Sequence, residues 1–216
     1  MTSLQGPALP PAAGGNPDAL VVLLHGYASK GDDLIQLASI WRNAAPGAAF
    51  VAPNGPTPCA QDPASFQWWP PARGKGVDRS ERLRATRPLI DAYVDEHLKR
   101  HGLPDHRLVL VGFSQGTTAA LHVALGRERR IGGVIGFSGT LSDPESLEPH
   151  MRTKPPVLMV HGDADEVVPV QRLHEARAAL EARDFDLTTH VAAGLGHSID
   201  LGGARQAIRF LERVLG

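Results

Sequence analysis

The sequence predicts an α/β fold with a mostly parallel central sheet flanked by helices. Three observations lead there. Short uninterrupted apolar runs recur along the chain, the pattern of strands buried on both faces. Segments with apolar residues at helical spacing lie between those runs. The two kinds alternate almost throughout the 216 residues, with no dividing linker and no repeat of fixed period, so a single domain is expected.

The elements follow in order. Residues 1–18 are rich in Pro, Gly and Ala, without periodicity, and read as a loosely ordered arm or an edge strand. The domain proper is expected over 19–216. Its first buried strand is Ala19-Leu20-Val21-Val22-Leu23-Leu24. A helix over 32–43 puts Leu34, Leu37, Ala38 and Trp41 on one face, and a strand over 48–52 comes next. Residues 53–76 break the alternation with many turn signals and two adjacent tryptophans, Trp68 and Trp69. Loops of this length inside compact domains are uncommon and often functional. This one is expected to be pinned by a tryptophan, to wall a pocket, or both.

A long helix over 77–100 carries Leu83, Ile90, Val94 and Leu98 as its stripe, and Pro88 inside it predicts a kink or two helices. A strand over 107–111 leads into an Ala- and Leu-rich helix over 115–126, after which Arg127, Arg129 and Arg130 read as a solvated helix end. Strands are expected over 133–137 and 157–160. A helix over 170–183 follows Pro169, a favourable first helical position. A strand over 187–192 and a helix over 202–215 close the chain.

Composition excludes several function classes. The chain is 42% apolar and 21% charged, ordinary for a globular protein that buries its own core. With 22 basic and 23 acidic residues the net charge is −1, which argues against a general nucleic-acid binder. The single cysteine, Cys59, excludes an intramolecular disulfide and a cysteine-based zinc site. No run approaches the roughly 18 apolar residues of a membrane span, so stable membrane insertion is not expected. The first 18 residues carry neither the basic nor the apolar region of a secretory signal, and the cytoplasm is the expected compartment.

The chemistry is carried by Gly112-Phe113-Ser114-Gln115-Gly116. A G-x-S-x-G pentapeptide alone is weak evidence, but this one has an apolar strand before it and a helix after it. That context makes it a nucleophile elbow. The turn is so tight that Ser114 must adopt a strained backbone conformation, and a Cβ at 112 or 116 would collide with its neighbours. The hydroxyl is thereby lifted clear of the sheet, facing the first N–H groups of the helix.

A serine hydroxyl needs a base, and the base needs a third group to orient it. In enzymes with such an elbow the acid and the histidine follow the serine in that order. Asp163, Asp165 and Glu166 all follow the strand over 157–160, where the ligand crevice of a parallel sheet opens. Asp165, at the loop tip just before Val167-Val168-Pro169, is the favoured acid. Asp163 is expected to hold the turn and Glu166 to be solvated. Of the later histidines, His174 falls in a helix and His190 in a strand. His197, in Gly194-Leu195-Gly196-His197, lies in a loop and is the favoured base. The oxyanion donors are assigned to the Gln115 N–H and to the Tyr27 N–H, which follows Leu24-His25-Gly26 at the end of an early strand. His25 is expected to brace that loop.

Four segments, LLHGYASKGDDL, GFSQGTTAALHVAL, HGDADEVVP and GLGHSI, occur in one order over about residues 19–215. Together they resemble the phospholipase/carboxylesterase branch of the α/β-hydrolases, which includes acyl-protein thioesterases. The resemblance implies a single-domain α/β-hydrolase fold without a large cap domain. It implies Ser114, Asp165 and His197 as catalytic residues and Tyr27 and Gln115 as the oxyanion hole. Trp69 and Val168 are expected to line the substrate pocket. The sequence departs from many members in having Tyr27-Ala28 for Leu-Gly and Trp68-Trp69-Pro70 for a W-F-D stretch.

The expected activity is that of a serine carboxylesterase acting on short- to medium-chain esters of small molecules through an acyl-enzyme. The alternatives are an acyl-protein or other acyl thioesterase or lysophospholipase with the same triad, and, more remotely, a non-catalytic hydrolase-like binding protein. No metal or organic cofactor is implied. A homodimer is one assembly the resemblance implies, although no stripe of residues marks an interface.

Overall fold

Parallel pairing of the apolar runs builds the centre of the molecule. A computed structural model of the chain describes residues 4–71, 79–142 and 151–216. Its strands are β1 (Ala8–Leu9), β2 (Ala19–Leu24), β3 (Ala48–Val51), β4 (Thr57–Pro58), β5 (Phe66–Gln67), β6 (Leu108–Phe113), β7 (Gly133–Phe137), β8 (Val157–Gly162) and β9 (Leu187–Ala192). Seven form one sheet in the order β1-β3-β2-β6-β7-β8-β9. All neighbours in it are parallel except β1, which runs antiparallel to β3. The described part of the N-terminal arm thus supplies an edge strand, and Leu4 is buried.

The helices are α1 (Gly31–Trp41), α2 (Arg79–His101), α3 (Gln115–Gly126), α4 (Gln171–Glu181) and α5 (Leu201–Leu215). Strand alternation sorts the core into two layers. Leu20, Val22 and Leu24 of β2 pack with Ile90 and Val94 of α2, Leu121 of α3 and Leu180 of α4. Val21 and Leu23, from the same strand, pack with Ala38 and Trp41 of α1 and Phe210 and Leu211 of α5. Each Leu or Val fully buried this way contributes about 1.5–3 kcal/mol. The result is the α/β-hydrolase sandwich, a single domain. No helix among the described residues is long and apolar enough to cross a membrane.

Two local readings change. Pro88 lies inside one helix rather than dividing it in two. Arg127 is not a solvated helix end: its side chain is 7% exposed and contacts Asp91, Asp95 and Asp105 at 2.6–2.8 Å. Burial by itself would lower its pKa, but those carboxylates outweigh it and raise the value. The reason is long-range. Asp91 and Asp95 stand one helical turn apart on α2, and the chain leaving α3 turns Arg127 into them. Arg129, which is exposed, adds a contact to Asp105 at 2.7 Å.

The segment over 53–76 is described as far as 71; its remainder lies outside the described residues. It is not structureless, since β4 and β5 form a small antiparallel hairpin within it.

Candidate active site

The central strand β6 ends in a strained turn. Ser114 has φ 54° and ψ −113°, a conformation that costs a non-glycine residue on the order of 1–3 kcal/mol. Both flanking glycines are obligatory. A Cβ on Gly112 would stand 2.3 Å from the Thr117 nitrogen, and one on Gly116 would stand 1.8 Å from the Leu24 oxygen. Thr117 Oγ1 lies 2.8 Å from the carbonyl oxygens of both Gly112 and Phe137, tying α3 back to β6 and β7. The turn is thus held by close backbone packing on both sides.

Asp165 follows β8, two strands away. Its Oδ1 accepts from the N–H groups of Val167 at 2.9 Å and Val168 at 2.8 Å. Its Oδ2 lies 2.7 Å from His197 Nδ1. A carboxylate can only accept, so Nδ1 carries the proton and Nε2 is free to take another. Burial by itself would raise the Asp165 pKa, but the Val168 N–H, His197 and the Val167 N–H outweigh it and hold the carboxyl below the usual aspartate range.

His197 stands between β9 and α5. Phe113, just before the serine, packs its ring against the His197 ring at 4.9 Å between centroids. No hydrogen bond joins Ser114 Oγ to His197 Nε2 among the described residues. The other candidates take different places. Asp163 accepts from the Gly194 N–H across the two loops at 2.6 Å, and Glu166 is exposed. His174 lies exposed on α4 and His190 half-buried in β9. Gly194 has φ 70°, which the turn requires, whereas a Cβ on Gly196 would meet nothing nearer than 3.8 Å.

The loop after β2 sits beside Ser114: a Cβ on Gly26 would stand 3.4 Å from the Ser114 Cβ. His25 is completely buried; its Nδ1 lies 2.7 Å from the Gly26 oxygen, and its Nε2 accepts from the Gly55 N–H at 2.8 Å. The bond at Nε2 requires the Nδ1–H tautomer. Burial, against weaker contributions from Gly26 and Asp33, lowers its pKa.

Segment 54–71 is bolted onto this loop and onto the elbow. The Trp68 indole N–H donates to the His25 carbonyl at 2.8 Å, and Trp68 is buried. The Gln115 carboxamide clamps the backbone of two consecutive residues, accepting from the Trp68 N–H at 3.0 Å and donating to the Trp69 carbonyl at 2.8 Å. The Tyr27 hydroxyl donates to Gln61 Oε1 at 2.7 Å. Ala28 has φ 55°, a left-handed conformation that a glycine would adopt freely.

Ser114, Gln115, Trp69 and Val168 line one cleft of about 340 Å³, with Leu83 and Thr118 on its walls. The Gln115 side-chain clamp and the buried His161 beside Asp165 were not singled out from the sequence. The signal for His161 is its place at the end of a buried strand four residues before the acid.

Comparison with known proteins bears on the family and the fold. A model of the phospholipase/carboxylesterase family matches residues 12–215. Acyl-protein thioesterase 1 of Emericella nidulans is 28% identical over 91% of this chain and 90% of its own. The esterase YpfH of Escherichia coli is 26% identical over 84% of this chain and 76% of its own. The crystal structure of esterase PE8 superposes with a TM-score of 0.92 at 38% identity, over 99% of this chain and all of that one. The chain belongs to the phospholipase/carboxylesterase family of α/β-hydrolases and is a serine hydrolase.

Proposed function

We propose that this protein is a carboxylesterase that hydrolyses short- to medium-chain carboxylic esters with Ser114 as nucleophile, His197 as base and Asp165 as orienting carboxylate. His197 Nε2 takes the hydroxyl proton as Ser114 Oγ attacks the ester carbonyl. The N–H groups of Tyr27 and Gln115 stabilise the tetrahedral oxyanion; the Gln115 N–H, in the first turn of α3, has no intrahelical acceptor. The alcohol departs with the proton from His197. Water, activated by the same imidazole, then releases the acid from the acyl-enzyme.

The observation that carries this reading is the 2.7 Å bond from His197 Nδ1 to Asp165 Oδ2, made at the end of the sheet where Ser114 is strained. The open Ser114–His197 contact is compatible with it, because such bonds often tighten only when substrate is bound. The cleft of about 340 Å³ beside Ser114 supports short to medium acyl chains, with Trp69 and Val168 as walls. The proposed setting is the cytoplasm, on soluble esters; the net charge of −1 supports the absence of a nucleic-acid partner.

A second reading is a thioesterase, favoured by the names of several fungal relatives. The same groups would cleave a thioester. The experiment is hydrolysis of p-nitrophenyl esters of graded length, beside matched thioesters, by the parent protein and Ser114→Ala. The parent should turn over the acetate and butyrate and bind a fluorophosphonate probe, and Ser114→Ala should do neither. Retained turnover in that variant would refute the nucleophile assignment, and faster thioester cleavage would favour the second reading.

A further inference from the structure

His161, the fifth residue of β8, has no part in the scheme above, yet its side chain is completely buried against Asp165. Its Nε2 lies 2.8 Å from the Val168 carbonyl oxygen. A carbonyl oxygen only accepts, so Nε2 carries the ring proton. The same Nε2 lies 3.3 Å from Asp165 Oδ2, the oxygen that also meets His197 Nδ1 at 2.7 Å. Oδ2 therefore faces two imidazoles, one from β8 and one from the loop between β9 and α5. Oδ1 is occupied by the two backbone N–H groups. Asp163, the other nearby carboxylate, is turned away to the Gly194 N–H.

The arrangement carries a cost that packing alone does not explain. His161 Nδ1 is buried with no hydrogen-bond partner among the described residues, and a buried polar atom left in that state is destabilising. An apolar side chain of similar volume would avoid the cost but would leave the Val168 carbonyl without the His161 donor. Val168 then matters in a second way: the residue that takes the His161 proton at its carbonyl also gives its own N–H to Asp165 Oδ1, at 2.8 Å.

We infer that His161 is a positioning residue for the proposed relay: its Nε2–H holds the Val168 carbonyl and its ring lies 3.3 Å from Asp165 Oδ2, so that the carboxylate is kept in the orientation that holds His197. The inference rests on the reading of Ser114, His197 and Asp165 given above. With the imidazole in place, Val168, which holds Oδ1, is itself tied down, and the ring packs against Oδ2. Without it, Val168 loses that tie and the contact that orients the carboxylate for His197 loosens. His161 touches neither substrate nor reacting atoms in this scheme. Its effect should therefore appear in turnover rather than in substrate binding.

The test compares His161→Leu, His161→Gln and His161→Asn in the full-length protein with p-nitrophenyl butyrate. Active sites are counted by fluorophosphonate labelling, and Tm is measured in parallel. The Leu variant should lose about tenfold in kcat per labelled site, with KM within about twofold. Gln can place an amide N–H where the imidazole Nε2 lies and should recover most of kcat. Asn is too short and should not. Leu and Gln variants equal to the parent in kcat, whatever their Tm, would reduce His161 to a structural tie and overturn the inference. If the Leu variant does not fold, equal kcat values for Gln and Asn overturn it instead. Ser114→Ala, assayed alongside, separates the two levels: activity there defeats the underlying scheme, whereas an inert Ser114→Ala with indifferent His161 variants defeats only the role of His161.

Discussion

Asp165→Asn removes one negative charge and almost no volume, so the hydrogen-bond inventory around this side chain fixes what should follow. The carboxylate accepts at both ends: two backbone N–H groups at Oδ1, at 2.9 and 2.8 Å, and His197 Nδ1 at Oδ2, at 2.7 Å. An amide has one accepting oxygen and one donating nitrogen. Placed with nitrogen at the Oδ1 position, it would oppose two fixed backbone donors. It should therefore keep its oxygen there and present its NH2 to His197. His197 must then accept at Nδ1 and carry its proton on Nε2, the nitrogen meant to take the serine proton. A histidine held in that tautomer cannot act as the base. The loss expected from such a reversal is about 10⁴-fold in kcat, equivalent to about 5 kcal/mol of transition-state stabilisation. Little of it should appear in KM, because the cleft beside Ser114 is untouched. Steady-state hydrolysis of p-nitrophenyl butyrate, with thermal unfolding to establish that the variant is folded, makes the measurement. A folded Asp165→Asn protein within tenfold of parental kcat would refute the argument.

Three further outcomes are expected. Arg127→Met should cost about 3 kcal/mol in urea unfolding, near the low end for breaking a buried ion pair, because Arg129 still serves Asp105 and Arg87 still serves Asp91; a loss below about 1 kcal/mol would contradict it. Gly116→Ala should cost at least about 3 kcal/mol or prevent folding, since its Cβ would lie 1.8 Å from the Leu24 oxygen, whereas Gly196→Ala, with 3.8 Å of room, should be tolerated; similar stabilities for the two would sink the packing account. His25 has a folded pKa lowered below its ordinary 6.5, so the unfolded chain takes up its proton first on acidification. Its contribution to stability should be complete above about pH 6.5 and be lost as pH falls toward the lowered value. Urea midpoints from pH 7.5 to 5 should show that decline, and His25→Gln, which can still accept from the Gly55 N–H, should flatten it.

The alternation of strand and helix, the two-faced burial of strands such as β2, and the elbow around Ser114 were all legible in the sequence. Each depends on residues that are neighbours in the chain. Apolar periodicity sets which face is buried, and glycines at 112 and 116 mark where backbone must approach backbone. Chain order also singled out Asp165 and His197 as candidates, since the fold type restricts where an acid and a base can follow the serine. What the sequence did not determine depends on groups brought together from afar. Asp165 and His197 meet across 32 residues, Gln115 and Trp68 across 47, and Arg127 and Asp91 across 36. Arg127 looked like a solvated cation because local context cannot reveal that α2 will present it with carboxylates. His161, just past the strand expected over 157–160, drew no notice in the sequence; the return of the chain toward Val168 is what brings a carbonyl to its ring. Secondary structure follows from short-range sterics and hydrophobic period. The burial of a polar side chain, and the partner that makes it tolerable, are settled only when separate elements pack against one another.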